Sequence, residues 1–253
     1  LGGPLIAAGE QEPLNALKIA VGKDHSCALS QGGDVFCWGA NSSGQAVPPL
    51  IIGETPESPI NFPTQVAGLS DVIDVVSGAR HSCALLRSGV MKCWGDNSTM
   101  ALGRGEGCES IAGNGVDAVL GLPEGSDVIK MAAGTYHTCA LMADGALYCW
   151  GEGHLGDNAS FCDGLSPTPR RVHQTDNYDE VISRFVDVAA GNNLTCASGY
   201  IAGLVPPELT DIDLWCWGSN ARGQLGINND DANFSADHPR SVAGSGNGTI
   251  SGL

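Results

Sequence analysis

Ten cysteines and a recurring histidine are the residues of this 253-residue chain whose types and spacing could do chemistry. Cys27 and Cys37, Cys83 and Cys93, and Cys139 and Cys149 each enclose nine residues, while Cys196 and Cys216 enclose nineteen. His25, His81 and His137 each stand two residues before the first cysteine of a pair. A zinc site would want closely spaced Cys-x-x-Cys clusters or neighbouring histidine pairs, and neither spacing occurs. The fourth copy of the pattern has Leu194 in place of histidine yet keeps Cys196 and Cys216, so the two residue types are not one ligand set. A thioredoxin-like redox site would want Cys-x-x-Cys and is missing too. A disulfide fits. A hairpin turning near Gly32 sets Cys27 opposite Cys37, and non-hydrogen-bonded pairs of antiparallel strands approach closely enough to bridge. Cys108 and Cys162 are left over and are expected to link loops of adjacent units, which uses all ten.

Nothing else in the chain announces catalysis. No nucleophile elbow, phosphate loop or zinc-protease helix occurs. The glycine-rich GRGEGCESIAGNG lacks the Lys-Ser/Thr that a phosphate loop needs. The acidic NNDDAN at 228–233 could offer Asp230 and Asp231 to a cation, but without the spacing of an EF-hand loop it reads as solvated acid. A single active site would appear in one copy, whereas these histidines recur in phase, as a structural element does. No enzyme activity, metal or cofactor is expected.

The elements that must position these residues are themselves repeated. Gly22, Gly78, Gly134 and Gly191 are spaced by 56, 56 and 57 residues, and Trp38, Trp94, Trp150 and Trp217 by 56, 56 and 67. The longer last step is an insertion, GYIAGLVPPELTDID, in the fourth copy. Each copy runs from a short alternating apolar stretch to glycine, then HSCAL, HTCAL or LTCAS, a polar turn, and a strand ending in Cys-Trp-Gly. Runs of this length bounded by Gly, Asn and Asp are strands, and no window shows helical periodicity. The period therefore predicts an all-β chain of four small antiparallel sheets, each the size of a propeller blade.

The pattern apolar-x-apolar-Ala-x-Gly, His-Thr/Ser-x-Ala-Leu, Cys-Trp-Gly and x-Asn-x-x-Gly-Gln-Leu-Gly resembles the regulator-of-chromosome-condensation repeat, most closely in WCWGSNARGQLG of the fourth copy. The resemblance covers about residues 17–242 and implies a β-propeller, in that family most often of seven blades. It also implies that the in-phase histidines pack and hydrogen-bond within their blades. The repeats fall at about 17–60, 70–120, 126–172 and 184–240, as one propeller domain or fragment over 1–253, with 241–253 expected to begin a further repeat or to be a tail. Four copies are short of seven. Either the ring closes with few blades, or a partner, further copies or missing sequence completes it, and missing sequence is the expected explanation.

Composition narrows the setting. The net charge is −16 with only 12 Lys and Arg, which argues against nucleic acid and against anionic membranes as partners. No apolar stretch is long enough for a membrane span, and no signal peptide opens the chain. Five disulfides imply an oxidising compartment. Asn-x-Ser/Thr sequons at Asn41, Asn97, Asn158, Asn193, Asn233 and Asn247 point the same way, towards a glycosylated product of a eukaryotic secretory pathway. The glycine turn before Asn193 is expected to restrict access to it. The reading is of a non-enzymatic extracellular scaffold, a component of a cell-surface, matrix or filament assembly that binds other proteins. The resemblance carries rivals: guanine-nucleotide exchange, a ubiquitin-ligase adaptor, or an inhibitor of a secreted enzyme. Expected contact sites are the Pro- and aliphatic-bearing loops at 46–62, 104–124 and 199–213. Trp215, next to Cys216 and so on the opposite side of its strand, is expected as an exposed contact residue.

Overall fold

The computed structural model describes residues 14–49, 55–105, 115–124, 127–157, 162–173, 182–201, 212–227 and 235–242. Within them the chain is all-β: four antiparallel sheets of four strands, each sheet in simple sequential order. Blade 1 is β1 (Ala16–Val21), β2 (His25–Ser30), β3 (Val35–Gly39) and β4 (Ile60–Gln65). Blade 2 is β5 (Val72–Ser77), β6 (His81–Leu86), β7 (Met91–Gly95) and β8 (Asp117–Ala118). Blade 3 is β9 (Val128–Ala133), β10 (His137–Met142), β11 (Leu147–Glu152) and β12 (Leu165–Arg171). Blade 4 is β13 (Ile182–Ala190), β14 (Leu194–Ile201), β15 (Asp213–Ser219) and β16 (Ser235–Ser241).

The hairpins follow from their turn residues. Gly33, Gly89 and Gly145 adopt φ of 84°, 82° and 85° between the second and third strands of blades 1–3, a conformation open to glycine at little steric cost. The glycine of Cys-Trp-Gly is equally constrained. At Gly39, Gly95, Gly151 and Gly218 φ lies between 105° and 109°, and a Cβ would come within 2.2–2.6 Å of a carbonyl oxygen at the start of the neighbouring strand. The insertion of the fourth copy lengthens β14 and β15 without shifting their register, because Cys196 still faces Cys216.

First strands β1, β5, β9 and β13 lie side by side at the inner edge. Lys18 of β1 pairs with Asp74 of β5, and Lys130 of β9 with Asp187 of β13. At one end of this inner edge the four glycine turns surround a recess of about 330 Å³. The core lies between blades: Leu29 and Val35 are buried with Val75 and Trp94 of the next blade, and Leu141 and Leu147 with Trp215 and Trp217. Sheets stacked this way are covered on both faces, which is how a propeller differs from a sheet with one wet side.

Two boundaries differ from expectation. The first blade continues to Gln65, past residue 60, because β4 completes its sheet by pairing with β3. Ser241, the expected start of a further repeat or tail, is still the last residue of β16, the outer strand of blade 4 paired with β15. Residues 243–253 lie outside the described ones.

Candidate functional site: the blade junctions and their cysteine pairs

The cysteines sit where the hairpins put them. Cys27 faces Cys37, Cys83 faces Cys93, Cys139 faces Cys149 and Cys196 faces Cys216 in the antiparallel register. In all four pairs the Cα atoms are 4.1 Å apart and the sulfurs are at bonding distance, 2.08–2.10 Å. Such closeness belongs to the non-hydrogen-bonded class of facing residues. Three pairs are buried, each turned towards the next blade, as the 3.7 Å contact of Cys27 Sγ with Ser82 Oγ shows for the first. Cys162 is also disulfide-bonded, and Cys108 lies outside the described residues. Among the described residues no group of three or more His, Cys, Asp or Glu is gathered as metal ligands would be; the 228–233 acidic run lies outside them.

Each in-phase histidine does its bonding across a junction, not within its own blade as the resemblance implied. His25 Nε2 lies 2.8 Å from Ser82 Oγ, His81 Nε2 2.9 Å from Thr138 Oγ1, and His137 Nε2 2.8 Å from Thr195 Oγ1. Ser82 and Thr138 in turn donate their hydroxyl hydrogens to the carbonyls of Gln45 and Ala101. For His25 and His81 the hydroxyl hydrogen is spent there, so the imidazole is the donor and carries its proton on Nε2. Burial, by penalising the charged form, lowers the pKa from 6.5 to about 4 for His25, about 3 for His81 and about 4 for His137. For His25, Asp24 pushes weakly the other way. Rings held neutral, hydrogen-bonded and out of reach of solvent are structural posts.

The tryptophans complete the junction. Trp94 Nε1 donates to Ala46 O at 3.2 Å and Trp150 Nε1 to Ala101 O at 2.9 Å, each reaching back to the blade before. Trp217 is as deeply buried, but its Nε1 has no acceptor among the described residues. The turn it meets, GEGHLG of the third copy, is shorter than its counterparts, and Gly156 lies against the indole as Gly103 lies against Trp150. Trp215 corrects an expectation. It does lie opposite Cys216, but that side of β15 faces blade 3, so Trp215 is wholly buried, edge-on to Phe185 with centroids 6.2 Å apart.

The asparagine after Trp-Gly is a turn brace. Asn41 is 1% exposed; its Nδ2 donates to Val47 O and Glu57 O, and its Oδ1 accepts from the amides of Ala46 and Val47. Asn97 and Asn220 accept from Leu102 N and Leu225 N in the same way. Asn41 and Asn97 are therefore not placed to carry a glycan in the folded chain, because their side chains are buried within the turns they hold. Asn193 differs from expectation in the other direction, being exposed in a left-handed turn with φ 55°. Asn158, Asn233 and Asn247 lie outside the described residues, as do 50–54, 106–114 and 202–211 of the expected contact loops. Of the first loop, Pro48, Pro49, Pro59 and the exposed Phe62 line a recess of about 310 Å³. Asn41→Asp would set a carboxylate against the Val47 and Glu57 carbonyls; we expect a loss of about 3 kcal/mol in urea unfolding.

Sequence reasoning found the cysteines but missed their neighbours Ser82, Thr138 and Thr195. The signal was there, a hydroxyl residue before the first cysteine in every copy, although its partner lies 57 or 58 residues away.

Blades in sequential order, stacked through a repeated His–hydroxyl–carbonyl contact and an indole, define a propeller of repeat type. The chain belongs to the regulator of chromosome condensation (RCC1) repeat family: repeat models match residues 17–45, 72–99 and 128–157 and, in a second phase, 32–85, 144–198 and 213–251. It is 33% identical over 230 residues to the human probable E3 ubiquitin-protein ligase HERC6, covering 85% of this chain and 20% of that one. To the Arabidopsis thaliana RCC1 domain-containing protein RUG3, mitochondrial, it is 27% identical over 213 residues, covering 83% and 43%. Prp20p from Saccharomyces cerevisiae superposes with a TM-score of 0.71 at 22% identity, covering 94% of this chain and 52% of that structure. Human WBSCR16 gives 0.70 at 22% identity, covering 93% and 55%. The chain thus spans about half of these propellers and a smaller share of the curated relatives, and the structural likeness speaks for the fold.

Proposed function

We propose that the chain is a non-enzymatic interaction module, a disulfide-stapled propeller segment that serves as a rigid scaffold in an extracellular or cell-surface assembly and binds other proteins there. The observation that carries the reading is the facing cysteine pair found in every blade. A hairpin needs no such pair to form, and bridges of this kind persist in oxidising compartments. A charge of −16 disfavours nucleic acid as the partner. The recurrence of the histidine in three successive blades, each on a hydroxyl of the next, argues for structure over catalysis.

A second reading has its own support. The relative at 33% identity is named as a probable E3 ubiquitin-protein ligase, so a propeller module within such a protein is the alternative. Thiol counting separates the compartments. Denatured in the absence of reductant, the chain isolated from its native source is expected to show no reactive thiol; ten would overturn the extracellular reading.

A further inference from the structure

The four outer strands differ at one step. Thr64, Asp117, Arg170 and Arg240 stand opposite the second cysteine of each hairpin, at Cys37, Cys93, Cys149 and Cys216. The residue before each is Pro63, Val116, Pro169 and Pro239. Backbone alternation fixes where that residue points. The facing cysteines of a hairpin form a non-hydrogen-bonded pair, so the second cysteine turns its amide and carbonyl towards the outer strand. The residue opposite answers inward, and so does the one two further on: the amides of Val66, Val119, Val172 and Val242 bond the carbonyls of Val35, Met91, Leu147 and Leu214. By the same alternation the residue before points outward, away from the blade. A proline there has no N–H to present, which closes three of the four edges to pairing with another strand.

Blade 2 alone keeps the donor. Val116 and Ala118 turn their backbone groups outward, and among the described residues no strand pairs with that edge of β8. Asp117 between them has a side chain 61% exposed, with Arg104 Nη2 at 3.3 Å. Outward N–H and C=O groups at alternate residues are complemented by another extended backbone, which offers both groups at the same spacing. In an antiparallel pair the residue opposite Asp117 falls in the closer, non-hydrogen-bonded class, so its charge bears on the fit. A second copy centred on its own β8 would set Asp117 against Asp117, and two chains of net charge −16 repel besides.

We propose that the outer edge of β8 takes up an extended, proline-free segment of another protein as a fifth strand of blade 2, with a lysine or arginine of that segment opposite Asp117. The site deepens the reading of the chain as an interaction module and rests on it. Thiol counting reads the compartment and peptide binding reads the edge, so either can fail alone.

The probe is the peptide Ser-Val-Thr-Lys-Thr-Val-Ser, blocked at both ends and added to the full chain, with binding read from the amide resonances. It is expected to shift the amides of Val116 and Ala118 and to slow their exchange with solvent. Glutamate in place of its lysine is expected to weaken binding about fivefold. Methylating its two threonine amides, which removes the donors that face Val116 and Ala118, is expected to weaken binding about tenfold. Val116→Pro gives blade 2 the residue of the other three edges, and read at Ala118 it is expected to weaken binding about tenfold too. Silence of both amides, or binding that the methylated peptide and Val116→Pro leave unaltered, would overturn the proposal. Equal binding of the lysine and glutamate peptides would overturn the part given to Asp117. Shifts of the two amides with chain concentration alone would make a second copy the occupant and overturn the choice of partner. If Val116→Pro does not fold, the methylated peptide on the unaltered chain decides by the same readout.

Discussion

Trp150→Ala is expected to cost about 3–5 kcal/mol in urea unfolding, and Trp38→Ala less than about 2 kcal/mol, although the two residues occupy the same step of the repeat. Trp150 is wholly buried between blades 2 and 3 and donates to Ala101 O, so truncation empties a large volume and leaves a carbonyl without its indole. The same carbonyl keeps the Thr138 hydroxyl, which limits the polar part of the loss. Trp38 is half-buried on a face that no blade covers among the described residues, and its removal is largely a surface change. Paired unfolding curves of the two variants check the contrast. Equal losses would mean that Trp38 is covered in solution, and with it that face of blade 1.

Acid is expected to weaken the junctions well before it reaches the ordinary carboxylate range. The histidine pKa values are depressed in the folded chain, to about 4, about 3 and about 4. The unfolded chain, titrating near 6.5, therefore binds protons first as the pH falls. Stability from these three sites is fully present above 6.5 and is lost as the pH drops from there towards 4. The slope is at most roughly 1.4 kcal/mol per histidine per pH unit within that window. Asp24 beside His25 and Asp96 near His81 soften the effect without reversing it. Urea midpoints at pH 7.0, 5.5 and 4.5 (values chosen to span that window, roughly 6.5 to 4) should fall in order. His81→Gln, which can still donate but cannot titrate, should flatten the fall by about a third. A flat profile in the unaltered chain would show that the rings are solvated.

Much of the fold was legible because the repeat states each element four times. The strands, the glycine turns and the facing cysteines all follow from local rules of spacing, and the hairpin register needs no knowledge of distant residues. What was not legible is long-range. Period-two reasoning correctly set Trp215 opposite Cys216, but it could not tell a wet face from a second interior one, and in stacked blades both faces are interior. His25 and Ser82 are each visible in the sequence, yet their contact exists only once two blades are stacked. Asn41 meets the sequon rule and the turn rule at once; only its burial shows that the turn claims the side chain.

The inner strands carry a consequence of their own. Lys18, Asp74, Lys130 and Asp187 occupy one step of four successive first strands and alternate in sign, with pairs formed from blade 1 to 2 and from 3 to 4. Alternation has a parity. Continued around a ring with an even number of blades, it closes with every neighbour opposite in charge. With an odd number it cannot: somewhere two like charges meet, or one blade must present a neutral residue at that step. The residues at that step, read together around a closed ring, would therefore report whether its blade count is even or odd.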